Sequence, residues 1–242
     1  MLINNPRTIL YWCYKIKNLF KKTVLNNGER YDPVLMKIFG INDLDQASRY
    51  YFSKKIIPEN HTLLDIACGT GYGTKILADS CSRITGVDIS KNAISYAKKH
   101  YQKININFII SDIFNFHSTA DYITSFETVE HIQLEPQQTI LHLLSLAKKG
   151  IIFSVPYNEV KGHNKHHLHF NINEATFDFI SPSQMTFFYQ STTGAIFKNK
   201  KDCENPQSLL VLISHTPSFN DSGFKSNLLK TSDPIAPESF SS

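Results

Sequence analysis

The sequence predicts an α/β protein: a doubly wound, mostly parallel sheet of seven strands, with an antiparallel hairpin at its C-terminal end and a helical extension at its N-terminus. Three observations predict it. Apolar runs alternate with stretches of helical periodicity between residues 63 and 155. A glycine-rich turn, Gly69-Thr-Gly71-Tyr-Gly73, follows the first run directly. Two further β-rich runs, 184–190 and 209–214, come after Pro156 closes the alternating part.

The elements follow in order. Residues 8–24 space Ile9, Trp12, Cys13, Ile16, Leu19, Phe20 and Val24 along one helical face, with Lys15, Lys17, Lys21 and Lys22 toward the other. After the turn formers Asn26, Asn27 and Gly28, a second helix over 43–57 is stopped by Pro58, so 1–57 reads as an N-terminal extension. The main domain, 58–214, begins with a strand over 63–67, the glycine turn and a helix to about Asp79. Strand 84–87, helix 91–101, strands 106–110 and 122–126, a helix from about Glu135 to Ala147, and strand 151–155 complete the alternation. Strand–helix–strand units cross over right-handedly, which makes these strands parallel. The two late runs fit an antiparallel hairpin at the sheet edge. Residues 215–242, with seven Ser and three Pro and little periodicity, read as a disordered tail.

The charge weighs against one class of function. Net charge is +4 over 242 residues, but residues 1–30 hold six basic residues and one acid, and the other 212 hold 19 basic and 20 acidic. A nucleic-acid enzyme carries its cations on the body that holds the substrate, so the near-neutral body argues against nucleic acid. Cys13, Cys68, Cys81 and Cys203 form no metal knuckle or redox motif, which fits a reducing cytoplasm. The apolar stretch Ile9–Tyr14 is too short for a membrane span and lacks the features of a signal peptide.

The glycine turn lies where open α/β sheets bind ligands, at the carboxyl end of the first strand. Glycine there lets a ligand lie flat on the backbone. A dinucleotide fingerprint would need glycine at 74, where Thr74 stands, so a nicotinamide cofactor is disfavoured. Asp65, just before the glycines, suits a ligand carrying an ammonium and a sulfonium. Asp88 ends the second strand, 19 residues after Gly69, where a carboxylate accepts from a ribose diol. Asp112, just past the third strand, accepts from an adenine amino group, with Ile89 and Ile113 flanking the ring. A lone acid at a strand end is commonly only a cap or turn former; three at consecutive strand ends form a pattern.

These motifs resemble those of the class I S-adenosylmethionine-dependent methyltransferases, whose fold is Rossmann-like. The likeness runs from about residue 27 to 214 through LLDIACGTGYGT (63–74), ITGVDIS (84–90), IISDIF around Asp112, DYITSFETVEHI (121–132) and GIIFSVPYNE (150–159). It implies a cofactor site of Asp65, Ala67, Gly69, Gly71, Asp88, Ile89, Asp112, Ile113 and Phe126. NGERYDP (27–33) and QASRYYF (46–52) look like a bacterial subgroup associated with glycosyltransferases in surface-polysaccharide biosynthesis. That narrower likeness favours the sugar hydroxyl of a glycan or its precursor as acceptor.

Methyl transfer from a sulfonium mainly needs an aligned nucleophile and a group to take its proton. Beyond the fourth strand, Glu127-x-x-Glu130-His131 would converge three side chains on one helical turn. The pattern resembles the motif through which quinone-pathway and small-RNA O-methyltransferases hold Mg²⁺ or Mn²⁺, the RNA enzymes adding a later histidine. Here 163, 166, 167 and 169 are histidines after the fifth strand, with His167 preferred and His166 and His169 its rivals. The expectation is therefore a catalytic group of His131, Glu130 and His167, with Glu127, Glu130, His131 and His167 as metal ligands. A metal-free site with His131 as base is the competing reading. Arg49 and Tyr50 are expected over the methionine end of the cofactor, against the default of a solvent-facing arginine. Phe177, Phe179, Phe187, Phe188 and Tyr189 either wall an acceptor pocket or belong to the core.

Three other acceptors or roles compete: a small phenolic or quinone-like acceptor, an RNA 2′-hydroxyl, and a silent cofactor-binding scaffold. The basic helix over 8–24 either lies on an anionic membrane, placing the enzyme at its inner face, or packs on protein.

Overall fold

The computed structural model describes residues 30–32, 45–216 and 224–225. The basic helix expected over 8–24 lies outside them, as does most of the expected tail.

Helix α1 (Asp45–Ile56) precedes strand β1 (Thr62–Ile66), helix α2 (Tyr72–Leu77), β2 (Arg83–Asp88), α3 (Lys91–His100), β3 (Ile106–Ile110) and β4 (Ala120–Phe126). Then come α4 (Pro136–Leu146), β5 (Ala147–Pro156), β6 (Met185–Gln190), the two-residue β7 (Ile196–Phe197) and β8 (Ser208–Ser214). Local chemistry sets the boundaries. The Ser90 hydroxyl caps α3 by accepting from the Ala93 N–H at 3.3 Å. Pro136 opens α4, where its missing N–H costs nothing.

One eight-stranded sheet runs in the order β3-β2-β1-β4-β5-β8-β6-β7. Strands β1 to β5 are parallel, and β8 is antiparallel to both β5 and β6. The mostly parallel fold and its antiparallel hairpin are as the sequence predicts, with the short β7 as an eighth strand. The later strand of the hairpin is the inner one. Every residue of β8 is buried, and its SLLVLIS run has the nearly continuous apolar character of a strand covered on both faces.

The order reverses direction between β1 and β4, so the carboxyl ends of these strands and of β2 frame a crevice. On one face of the sheet α1, α2 and α3 pack through Phe52, Ile56, Leu77 and Ile94; on the other α4 packs through Ile140 and Leu143. Phe224 is buried against Tyr122 at 4.9 Å between ring centroids, and the Lys225 N–H donates to the Ile56 carbonyl at 2.9 Å. This part of the expected tail is packed on the domain.

Candidate active site

The glycine turn owes its composition to two different constraints. Gly69 and Gly71 have φ of +56° and +87°, in the left-handed region. A Cβ on Gly69 would meet only the aliphatic part of Arg30, 3.9 Å away, whereas one on Gly71 would fall 2.6 Å from the Ala97 Cβ and one on Gly73 2.0 Å from the Tyr50 ring. From the sequence the whole turn is expected to serve the ligand. In the structure only Gly69 faces open space; Gly71 and Gly73 let α1, α3 and the turn approach one another. Ala67 also has a left-handed φ, +58°, which marks the start of the turn as strained.

Asp65 is fully buried rather than turned to a ligand. It accepts from the Thr74 hydroxyl at 2.6 Å and from Thr124 at 2.9 Å, tying the turn to β4. Burial raises its pKa from the ordinary 3.8 to about 6, against the opposing effect of these hydrogen bonds. The cationic ligand inferred from Asp65 is therefore met by no exposed oxygen of this carboxylate. Thr74, which breaks the dinucleotide fingerprint, is the residue that holds Asp65.

Asp88 lies at the mouth of the crevice. Its Oδ1 accepts from the Ser90 N–H at 2.8 Å and from Arg30 at 3.2 Å, and its Oδ2 accepts from the Gly69 N–H at 2.9 Å. The carboxylate and the glycine turn are thus one unit. Ile89, next to it in the chain, is 67% exposed, an apolar side chain left facing solvent. The second acid, Asp112, caps the turn at Ile113–Asn115 through its Oδ1 and the Phe114 N–H at 2.8 Å, and Ile113 is buried. Arg30 and Tyr31 come from the segment expected to be an extension. Tyr31 accepts from the Thr70 hydroxyl at 2.8 Å and sets its ring edge-on to Tyr72, so this strap is part of the crevice. The sequence reading drew on NGERYDP only as a subgroup likeness, since no local periodicity ties residue 30 to residue 88.

The acidic motif after β4 does not form one helical turn. Only Val129–His131 is helical, as a 3₁₀ turn, and Glu127 stands outside it with φ +47°. Glu127 accepts from the Ser154 hydroxyl at 2.8 Å and lies 3.5 Å from Arg49 Nη1. Arg49 is buried, not solvent-facing, and also donates to Gln46, Gln190 and Ser208. Tyr50 sets its ring edge-on to Phe126, 4.8 Å between centroids.

Glu130, His131 and His167 do converge, with candidate ligand atoms all within 4.8 Å of one another. Glu130 is fully buried and neither carboxylate oxygen has a hydrogen-bond partner; its nearest basic nitrogen is His131 Nε2 at 3.8 Å. Burial first, and the charge of Glu127 second, push its pKa well up. The loop after β5 is pinned onto this turn by the Leu168 N–H, which donates to the Glu130 carbonyl at 2.7 Å. Among the rival histidines, His169 is held by the Ile132 and Leu134 carbonyls, and His166 offers its carbonyl to His131 Nδ1 at 3.2 Å. Glu159, whose carboxylate is hydrogen-bonded to His167 Nδ1, belongs to the site without having been expected there from the sequence. Its place at the end of the β5 motif was the available signal.

Phe177 and Phe188 are fully buried core residues, ringed by Phe153 and Phe52. Phe187 and Tyr189 instead line an open groove on the β6 edge with Lys198, Lys200 and Lys201, a groove that Glu130, His131 and His167 do not touch.

Residues 57–202 match the family model described as a methyltransferase domain. A ubiquinone biosynthesis O-methyltransferase of Coxiella burnetii is 31% identical over 156 residues, which is 58% of this chain and 66% of that relative. The chain thus spans just under two thirds of that relative's length. A malonyl-[acyl-carrier protein] O-methyltransferase of Priestia megaterium is 33% identical over 101 residues, covering 40% of this chain and 35% of the relative. Among solved structures, magnesium protoporphyrin IX methyltransferase from Synechocystis with bound SAH superposes at a TM-score of 0.55 and 15% identity, over 84% of this chain and 99% of that one. The N-methyltransferase NodS from Bradyrhizobium japonicum, also with SAH, gives 0.54 and 17%, over 82% and 97%. At these identities the structures share the fold.

Proposed function

We propose that this chain, which belongs to the methyltransferase domain family over residues 57–202, transfers a methyl group from S-adenosylmethionine to the hydroxyl of a small phenolic or quinone-like acceptor. The observation that carries the reading is Glu130: a fully buried carboxyl with no hydrogen-bond partner, set against His131 and His167 at the carboxyl end of β4. A buried ionisable group without a partner is costly, and its upkeep beside two imidazoles is the mark of a site rather than of a core.

The crevice suits the cofactor. Gly69 opens the backbone, Asp88, buried and already accepting from Gly69, Ser90 and Arg30, ends β2 where a ribose would share its remaining lone pairs, and the exposed Ile89 next to it gives an adenine ring an apolar face. Phe126, which ends β4 four residues before Glu130, packs edge-on against Tyr50 and would present the transferred methyl. His131, whose Nδ1 faces the His166 carbonyl, has Nε2 as its proton-accepting atom, directed at Glu130. Either His131 or His167 would take the acceptor's proton, and in-line alignment would do the rest.

The donor set of one carboxylate and two imidazoles fits a divalent transition ion such as Mn²⁺ and not the oxygen-seeking Mg²⁺, with the unsatisfied Glu130 oxygens as the test. Held by Glu130, His131 and His167, such an ion would lower the pKa of the acceptor hydroxyl. Glu127, turned to Ser154 and Arg49, would not join it.

The ubiquinone-pathway relative favours the phenolic acceptor. The sugar hydroxyl of a surface glycan, which the upstream motifs favoured, finds no support among the relatives above, and no helix among the described residues is long and apolar enough to cross a membrane. Calorimetry with S-adenosylhomocysteine, followed by turnover on a catechol and on a free-sugar panel, tests the reading. Binding with methyl ether formation on the catechol is expected; absence of binding, or turnover on sugars alone, would overturn it. Asp88→Ala is expected to weaken S-adenosylhomocysteine binding about tenfold or more, the loss of charge-assisted hydrogen bonds to a diol.

A further inference from the structure

We infer that Glu159 is a positioning residue: it fixes the ring orientation of His167 and keeps the ring proton on Nδ1 and the lone pair on Nε2. The inference rests on the proposed role of His167 and adds the group that prepares it.

The geometry comes from two sides of one imidazole. The Glu159 carboxylate meets Nδ1, and both side chains are largely buried, at 8% exposure for His167 and 11% for Glu159. A carboxylate only accepts, so Nδ1 carries the proton. On the opposite side the Asn164 amide nitrogen lies 3.0 Å from Nε2 and only donates, so Nε2 carries the lone pair, which a metal ion or an acceptor's proton would take over from Asn164. The two partners agree on one tautomer. The ring so held stands edge-on to His131, 4.6 Å between centroids, and within the cluster that contains Glu130.

The backbone holds Glu159 in place independently of its carboxylate. The Asn171 N–H donates to the Glu159 carbonyl at 2.8 Å, and the preceding Asn158 N–H donates to the Ile172 carbonyl at 2.9 Å, closing the base of the loop that carries His167. Asn158 itself sits at φ +51°, the bend that sends the chain from β5 into this loop. A substitution confined to the carboxylate therefore leaves the loop's main-chain anchors intact. A carboxylate on the far nitrogen of a histidine is the usual way a protein sets which nitrogen is offered to a metal or a proton.

The test uses the full-length chain and two readouts. In ¹⁵N–¹H correlation spectra of histidine-labelled protein, with His167→Gln assigning the signal, wild type is expected to show His167 as the Nδ1–H tautomer. Glu159→Gln retains an acceptor oxygen and is expected to keep that tautomer, whereas Glu159→Ala combined with Asn164→Ala, which removes the second constraint, is expected to give a mixture, with Asn164→Ala alone staying Nδ1–H. In Mn²⁺ titration by calorimetry, Glu159→Ala is expected to bind roughly tenfold more weakly or worse, and Glu159→Gln to lie closer to wild type. A wild-type tautomer protonated at Nε2, or a mixture already in Asn164→Ala with Glu159 intact, would overturn the inference. If wild type binds no Mn²⁺, the metal reading fails, and the tautomer readout still decides the role of Glu159.

Discussion

Arg49 reaches from α1 to within 3.5 Å of Glu127, the residue that the acidic motif would otherwise send into the ligand cluster. It does so while 4% exposed, sharing its remaining donors among Gln46, Gln190 and Ser208. One buried guanidinium thus joins the N-terminal helix, the C-terminal hairpin and the turn after β4. Arg49→Ala would leave several buried acceptors and one carboxylate without their donor. The expected loss is about 2–4 kcal/mol, read from the urea midpoint, with Arg49→Lys intermediate because it keeps the charge but not the planar fork. An unchanged midpoint in the Ala variant would show that the network contributes nothing.

Gly69 and Gly71 should separate function from stability. Both have positive φ, so alanine costs about 1–2 kcal/mol at either. At Gly71 the new methyl also meets Ala97 and Phe108 within 3 Å, adding roughly 1–3 kcal/mol of overpacking. Gly69→Ala is expected to fold and to lose S-adenosylhomocysteine affinity; Gly71→Ala is expected to melt markedly lower. Equal melting temperatures for the two variants would contradict this.

Asp65 gives a pH signature with a definite sign. Its folded pKa of about 6 lies above the ordinary 3.8, so the native state binds this proton more tightly than the unfolded chain does. The resulting stability is complete below pH 3.8, falls as the pH rises, and is lost above about 6. Two pKa units correspond to about 3 kcal/mol. Asp65→Asn, which cannot ionise, should therefore gain on wild type by up to that amount between pH 4 and 7 in denaturant titrations. A constant difference across that range would remove Asp65 as the source.

Glu130 should show a conflict between activity and stability. Its folded pKa is raised above the ordinary 4.5, so at neutral pH the buried carboxyl works against folding. In EDTA, Glu130→Gln is expected to melt higher than wild type, by roughly 1–2 kcal/mol of stability, and to be inactive. Wild-type turnover should stop in EDTA and return with Mn²⁺. Glu127→Gln should keep Mn²⁺ affinity within about threefold, while Glu130→Gln loses about tenfold or more. Full activity of wild type in excess EDTA would leave the cluster as a metal-free base.

The strand and helix order, the glycine turn, the acids closing β2 and following β3, and the histidine-rich loop are all local patterns, and the sequence carries them openly. Alternating apolar runs fix a parallel sheet because burial on both faces and right-handed crossovers leave few other arrangements. By itself the sequence therefore determined the fold class and the end of the sheet where chemistry belongs. Side-chain direction was decided elsewhere. Asp65 faces Thr74 and Thr124 instead of the crevice, Glu127 faces Arg49 instead of Glu130, and β8 lies inside the hairpin. Arg30 with Asp88, separated by 58 residues, and Arg49 with Ser208, by 159, pair only after the chain has closed on itself. Those choices rest on the desolvation of charged groups, which depends on what every other element buries around them. No window of sequence contains that information, and only the tertiary structure supplies it.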